Sequence, residues 1–248
     1  MDDHLKATIR WDAQILLLTW TAGTVDAIGY LGLGHVFTAN MTGNAVLLGL
    51  SLGQGQALAA YRALLALAGF IFGAAAGALL VHRRGISVGI GRALFWPVLA
   101  ETIILSFFAL GLHLSVFGRS QSTIFLLIVL SAIAMGIQSA AIQHLHLPGI
   151  ATTVVTGTIT SMVVGFIRRM RPAQGGPYSD KSSEASNLRD RQLGLQAGVF
   201  VVYLIAATAS GVFQQRLPWV VGMSALVAIW LVLLDTIWPA GSSTIVSS

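Results

Sequence analysis

Six stretches of this sequence, 13–33, 57–81, 93–113, 122–142, 193–213 and 217–238, each run for more than twenty residues on mostly apolar side chains. As a helix, such a stretch extends about 30 Å at 1.5 Å per residue, the thickness of a bilayer's hydrocarbon core. A water-soluble fold has no use for so many helices that are apolar all round. Composition agrees, with 55% hydrophobic and 9% charged residues, against roughly 25% charged in a soluble domain. Tryptophans stand near several of the ends (Trp11, Trp96, Trp219, Trp238), where an amphipathic ring prefers the headgroup layer. The chain has no cysteine, which excludes disulfides, thiolate metal sites and cysteine nucleophiles.

A net charge of +5 does not point to nucleic acid, because no basic face is interleaved with stacking aromatics. The basic residues gather instead at the ends of apolar runs and in two loops, Arg83, Arg84 and Arg92 in one and 168–191 in the other. Residues 1–12 are polar, and the first apolar run follows them directly. A cleavable signal would have a shorter apolar region closed by a small-residue cleavage site. Here the apolar character resumes beyond Asp26, so 13–33 reads as a span.

Two further apolar segments, 34–53 and 149–167, are rich in Gly and Thr, and each follows a full span. They reveal an internal repeat. The first contains Thr38-Ala39-Asn40-Met41-Thr42-Gly43-Asn44, the second Thr152-Thr153-Val154-Val155-Thr156-Gly157-Thr158. Each lies behind a span with one polar group, Asp26 or Gln138. A single membrane domain, 1–248, therefore divides into halves 12–113 and 122–238, each ordered span, T-G segment, span, span. The charged stretch 168–192, with Pro172, Gly175, Gly176 and Pro177, reads as a flexible linker.

Charge decides between two topologies. If both T-G segments dip in and return, six spans place eleven basic residues on one face and three on the other; eight spans give ten and four. The excess of Lys and Arg on the cytoplasmic side favours six, with both termini cytoplasmic. Three spans per half make the second half insert upside down relative to the first. The expected fold is all-α, two inverted repeats of three spans, each with a discontinuous or re-entrant T-G segment; the alternative has eight spans. Paired discontinuous elements in inverted repeats are a recurrent transporter plan.

The Val25-Asp26-Ala27 span, the stretch from Phe37 to Asn44, Gly136-Ile137-Gln138 and Thr156-Gly157-Thr158 resemble the YoaK-like family over nearly the whole chain. That family's pattern carries Asn after the glutamine, where this chain has Ser139. The resemblance implies a multi-spanning helical protein of a bacterial inner membrane and no established activity.

Asp26 is the sharpest candidate for chemistry, since an ionised aspartate at bilayer depth costs on the order of 2.5–3.5 kcal/mol even on the mild insertion scale. Such a carboxyl can carry a proton, ligate Na⁺, or donate a hydrogen bond between helices. Glu101 lies in a span nearer its Trp96-Pro97 end and is either a second coupling site or a side chain that reaches the interface. Arg62 is expected to snorkel to the headgroups, and Asp235 to be solvated. Thr38, Asn40, Thr42, Gly43, Asn44, Gln138, Thr152, Thr156, Gly157 and Thr158 are the candidate contacts of a small solute or ion. Hydroxyl and amide side chains suit helix N-termini, and amides left uncapped there attract anions. The bland reading is that they permit close packing and cap themselves.

Gly69, Gly73 and Gly77 form a small-residue stripe for packing, within the chain or between copies in a homo-oligomer. His144 and His146 lack a third ligand nearby, so no metal is expected. No nucleotide-binding or hydrolase motif occurs, so neither enzyme activity nor a cofactor is expected. The pattern points to a secondary transporter or channel for a small polar solute or ion, with Asp26 as the coupling carboxyl. A non-transporting membrane subunit or scaffold is the alternative.

Overall fold

In hydrocarbon every backbone N–H and C=O must be satisfied within the protein, and a single apolar segment can do that only as a helix. The computed structural model follows this rule. It describes residues 3–82, 90–114, 120–144, 159–160, 163–164, 167, 180–214, 216 and 218–237. Its helices are α1 (Asp3–Gly32), α2 (Met41–Gly53), α3 (Ala57–His82), α4 (Ile90–Leu114), α5 (Gln121–His144), α6 (Asp180–Phe213) and α7 (Pro218–Ile237). All but α2 are long and apolar enough to cross a membrane, which makes six candidate spans among the described residues. With 13 residues, α2 extends about 20 Å and falls short of a 30 Å core.

Two boundaries differ from the sequence reading. The polar N-terminal residues belong to α1 from Asp3 onward, and α6 begins at Asp180, inside the stretch read as a linker. Both extensions carry charges that pair across the bundle. Arg191 Nη2 donates to Asp12 Oδ1 at 2.8 Å, and Arg10 Nη2 donates to Asp235 Oδ1 at 2.6 Å, with Arg10 Nε on the same oxygen at 3.0 Å. Gln14 donates to the other Asp235 oxygen. Asp235 is thus a tie between α1 and α7 rather than a solvated end group.

Contacts give the helix directions. Along α1 and α6, Asp12 meets Arg191, Leu16 meets Gly198, and Gly23 meets Tyr203 and Ala206, so the two run parallel. Thr21 and Arg10 of α1 meet Ala225 and Asp235 of α7, so these run antiparallel. Gly111 and Leu112, near the end of α4, meet Leu127, near the start of α5, and Gly222, near the start of α7, and such end-to-start contacts between helices of similar length make both pairs antiparallel. Helices α1, α4 and α6 therefore run one way, and α3, α5 and α7 the other. Arg10, Asp12, Arg191 and Asp235 share one face of the bundle, the N-terminal face.

The glycine stripe of α3 is filled by α5 of the same chain. A Cβ at Gly69 would stand 3.2 Å from Ala132 Cβ, and one at Gly77 2.9 Å from Ile137 Cα. One at Gly73 would overlap the Ile133 carbonyl. These contacts advance together along both helices, which makes α3 and α5 parallel. The expected alternative, an oligomer contact through Gly69, Gly73 and Gly77, is overturned because the groove is already occupied. Large apolar side chains such as Ile71, Phe72, Leu204, Val212 and Leu231 face outward, as lipid contact requires.

Candidate functional site

The site grows from the end of α1. The helix closes with Leu33 N donating to Gly29 O and His35 N donating to Tyr30 O. Gly34 (φ 94°) and His35 (φ 62°) then reverse the chain. Phe37 stacks on Tyr30 at 5.2 Å, and His35 meets the same ring edge-on. The returning segment lies directly on α1 at Gly29, where a Cβ would stand 2.7 Å from Val36 O and 3.1 Å from Thr38 Cγ2. That close approach brings the next two amides to a carboxylate one turn back on α1.

Asp26 Oδ1 accepts hydrogen bonds from Thr38 N (2.6 Å), Ala39 N (2.6 Å) and Thr38 Oγ1 (3.2 Å). Its Oδ2 accepts the Tyr203 hydroxyl of α6 at 2.6 Å. Gly23, one turn before Asp26, lets α6 approach so closely that a Cβ there would be 2.9 Å from Tyr203 O. Asp26 is 3% exposed, and Thr38 is fully buried. Hydrogen bonds to a charged acceptor contribute about 1.5–3 kcal/mol each. Four of them offset part of the cost of holding a carboxylate at this depth.

The rest of the first T-G segment caps α2. Asn40 is the N-cap, its Oδ1 accepting from Gly43 N at 3.1 Å. Buried Asn44 holds Phe37 by both backbone groups, accepting from its N–H (2.9 Å) and donating to its carbonyl (2.6 Å). Gly43 makes room for the Phe37 ring, which would stand 2.9 Å from a Cβ. Thr42 is exposed and lies outside this cluster. The amides of Phe37, Thr38, Ala39 and Gly43 are therefore taken by side chains of the chain itself, and this helix start does not present them to a ligand.

In the second half, Gln138 is buried and donates from Nε2 to Leu18 O at 3.1 Å. Thr152, Thr156, Gly157 and Thr158 lie outside the described residues. Glu101 is 1% exposed, so its side chain does not reach the interface. It occupies the inner seam of α4 formed by Leu94, Val98, Leu105, Phe108 and Leu112, spaced alternately by four and three residues. Among the described residues nothing donates to its buried Oε1. Arg62 pairs with neither acid: it packs on Gly34 and donates to Gln121 Oε1 at 3.2 Å.

The sequence reading missed Tyr203. A tyrosine inside an apolar span carries a hydroxyl that needs a partner, but no local pattern names a partner 177 positions away.

Six apolar helices among the described residues, with a hydrogen-bonded carboxyl buried between α1 and α6, define a polytopic helical membrane protein. Within that class, the chain belongs to the family described as "Protein of unknown function (DUF1275)", whose profile matches residues 14–234. It is 37% identical over 222 residues to UPF0700 transmembrane protein YoaK of Bacillus subtilis (strain 168), covering 87% of this chain and 91% of that protein. No solved structure matches the chain.

Proposed function

We propose that this chain is a secondary transporter or channel for a small polar solute or ion, built of two inverted repeats, with both termini cytoplasmic in a bacterial inner membrane. Helix direction supports the inverted arrangement: α1, α3, α4 run up, down, up, whereas α5, α6, α7 run down, up, down. The packing pairs exchange as an inverted repeat requires, α3 with α5 matching α6 with α1, and α4 with α5 matching α7 with α1. Enclosure matches too, at 61% and 56% for the most apolar stretches of α1 and α5, 44% and 39% for α4 and α7, and 28% and 22% for α3 and α6. The contact of Arg62, early in α3, with Gly34, just past α1, supports a T-G segment that enters and leaves by one face. The excess of basic residues on the N-terminal face supports its being cytoplasmic.

The observation that carries the reading is Asp26 itself. One oxygen holds the T-G segment of the first half, and the other holds Tyr203 of the second. Capture of a proton or cation by this carboxylate occupies electron pairs that these donors use, so binding at Asp26 loosens one half from the other. That is the link between ion occupancy and conformation that coupled transport needs. The reading assigns no catalytic residue, cofactor or metal. Flux into proteoliposomes, measured over a panel of ions and metabolites, tests it. The expected result is uptake above empty vesicles by the wild type and its loss in Asp26→Asn. Absence of flux over the panel, or normal flux in the variant, removes the proposal.

A scaffold is the second reading, and the 3% exposure of Asp26 favours it. Single cysteines placed along Thr38 to Asn44 separate the two. Labelling by a membrane-impermeant thiol reagent supports water access and transport, and protection from both faces supports the scaffold.

A further inference from the structure

We infer that Glu101 is a proton-binding site, a carboxyl that takes up and releases a proton as α4 shifts against α5 and α7. The inference deepens the transport reading and rests on it for its purpose, naming the proton as a coupled ion.

The two buried acids differ in their surroundings. Asp26 is ringed by four donors that suit a carboxylate. Glu101 is just as enclosed, yet its buried Oε1 meets no hydrogen-bond donor among the described residues. It lies in the seam between Val98 and Leu105. The contacts of Gly111 with Leu127 and of Leu112 with Gly222, carried along the antiparallel pairs at equal rise, bring it level with Ile137 of α5 and Leu233 of α7. Of the titratable side chains on the packed elements, His82 and His144 are exposed and stand about one to two turns beyond the level of Glu101. Arg62 and Tyr61 lie at the far end of α3, and His82 and His144 end α3 and α5. Asp235 on α7 is held by Arg10 and Gln14.

A proton suits this site better than a metal ion. A hard cation needs several oxygen ligands at once. The hydroxyls beside Glu101 are committed to the helix backbone, Thr102 Oγ1 to Val98 O and Ser106 Oγ to Thr102 O, both at 2.7 Å. The described residues contain no group of three acidic or histidine side chains placed to hold a metal.

Depth and mechanics agree with uptake and release. Glu101 lies seven residues, about 10 Å, inside the start of its span at Leu94, and Asp26 lies six residues, about 9 Å, inside the end of its span at Gly32. The two carboxyls thus stand on opposite sides of the midplane, each about one third of the way into the core. Pro97, one turn before Glu101, removes a backbone hydrogen bond from α4, so the helix yields most easily beside the acid.

Infrared spectroscopy of the full chain in lipid tests the site without a solute. The expected result is a carboxylic-acid C=O band that disappears in Glu101→Gln, remains in Asp26→Asn, and shifts when the folded protein is transferred to D₂O. Absence of the band, its survival in Glu101→Gln, or its failure to shift in D₂O overturns the proposal. Carbodiimide labelling of wild-type protein, mapped by peptide mass spectrometry, requires no variant to fold. Adducts on Glu101 that decline as pH rises support the site; adducts on Asp26 with none on Glu101 overturn it. A shifting Glu101 band without solute flux would remove the transport reading and leave the site standing. Solute flux without the band would do the reverse.

Discussion

The Tyr203 hydroxyl of α6 donates to Asp26 of α1 at 2.6 Å, across 177 positions of sequence. The same carboxylate accepts two amides from the segment that folds back between α1 and α2. One side chain therefore ties three pieces of chain, and Gly23 and Gly29 flank it at the points where the other two lie closest.

Removing only the hydroxyl, in Tyr203→Phe, is expected to destabilise the protein by about 1.5–3 kcal/mol, the range for a bond to a charged acceptor. Asp26→Ala is expected to cost more, because it strands two amides and two hydroxyls together. Asp26→Asn should fall below Asp26→Ala, since its amide oxygen still accepts from the returning segment. Denaturation in detergent micelles, followed by tryptophan fluorescence, gives the order. A Tyr203→Phe protein as stable as the wild type would contradict the bond.

The glycine stripe makes a contrast prediction. Gly73→Ala forces a methyl against the Ile133 carbonyl, whereas a Cβ at Gly49 meets nothing within 4 Å. Overpacking of this kind costs typically about 1–3 kcal/mol, and Gly49→Ala should be neutral or slightly stabilising through helix propensity. Equal melting temperatures for the two variants would show that α3 and α5 are not in contact at Gly73.

The Arg10–Asp235 pair has side chains 30% and 33% exposed, so water and salt screen part of its attraction. A double-mutant cycle of Arg10→Gln and Asp235→Asn is expected to give a coupling of roughly 0.5–1 kcal/mol. The value should shrink in about 1 M salt, where the Debye length is near 3 Å. A coupling of zero at low salt would indicate that the two residues do not pair in solution.

Helix directions predict sidedness. Since the chain has no native cysteine, Gln54→Cys and Asp190→Cys each create a single label site at an exposed position. In right-side-out vesicles an impermeant maleimide is expected to modify position 54 directly and position 190 only after permeabilisation. Modification of both from the same side would break the assigned order of helices.

The six candidate spans were legible because apolar runs of this length leave a backbone in lipid no choice but helix, and their observed limits lie close to those read from hydropathy. The ends were less legible. Residues 3–12 and 180–192 look solvated when read locally, yet Arg10, Asp12 and Arg191 belong to helices that pair across the bundle. Asp26 stood out as a charge in an oily run, and Asn40 as a helix cap. Thr42, equally prominent in the repeated motif, is exposed and apart, because one face of a helix start cannot present every residue of a linear motif inward.

Helical class, the positions of the candidate spans, the recurrence of the T-x-x-x-T-G pattern and the conspicuousness of Asp26 follow from sequence alone, because each depends on hydropathy or spacing along one stretch of chain. Tertiary structure alone assigned partners to the polar groups. It gave Asp26 four donors and left the buried Oε1 of Glu101 without one among the described residues. It also gave the α3 glycines to α5 instead of a second copy of the chain. The reason is that hydrogen bonding and close packing depend on where distant helices cross, and that is set by the whole bundle rather than by any segment within it.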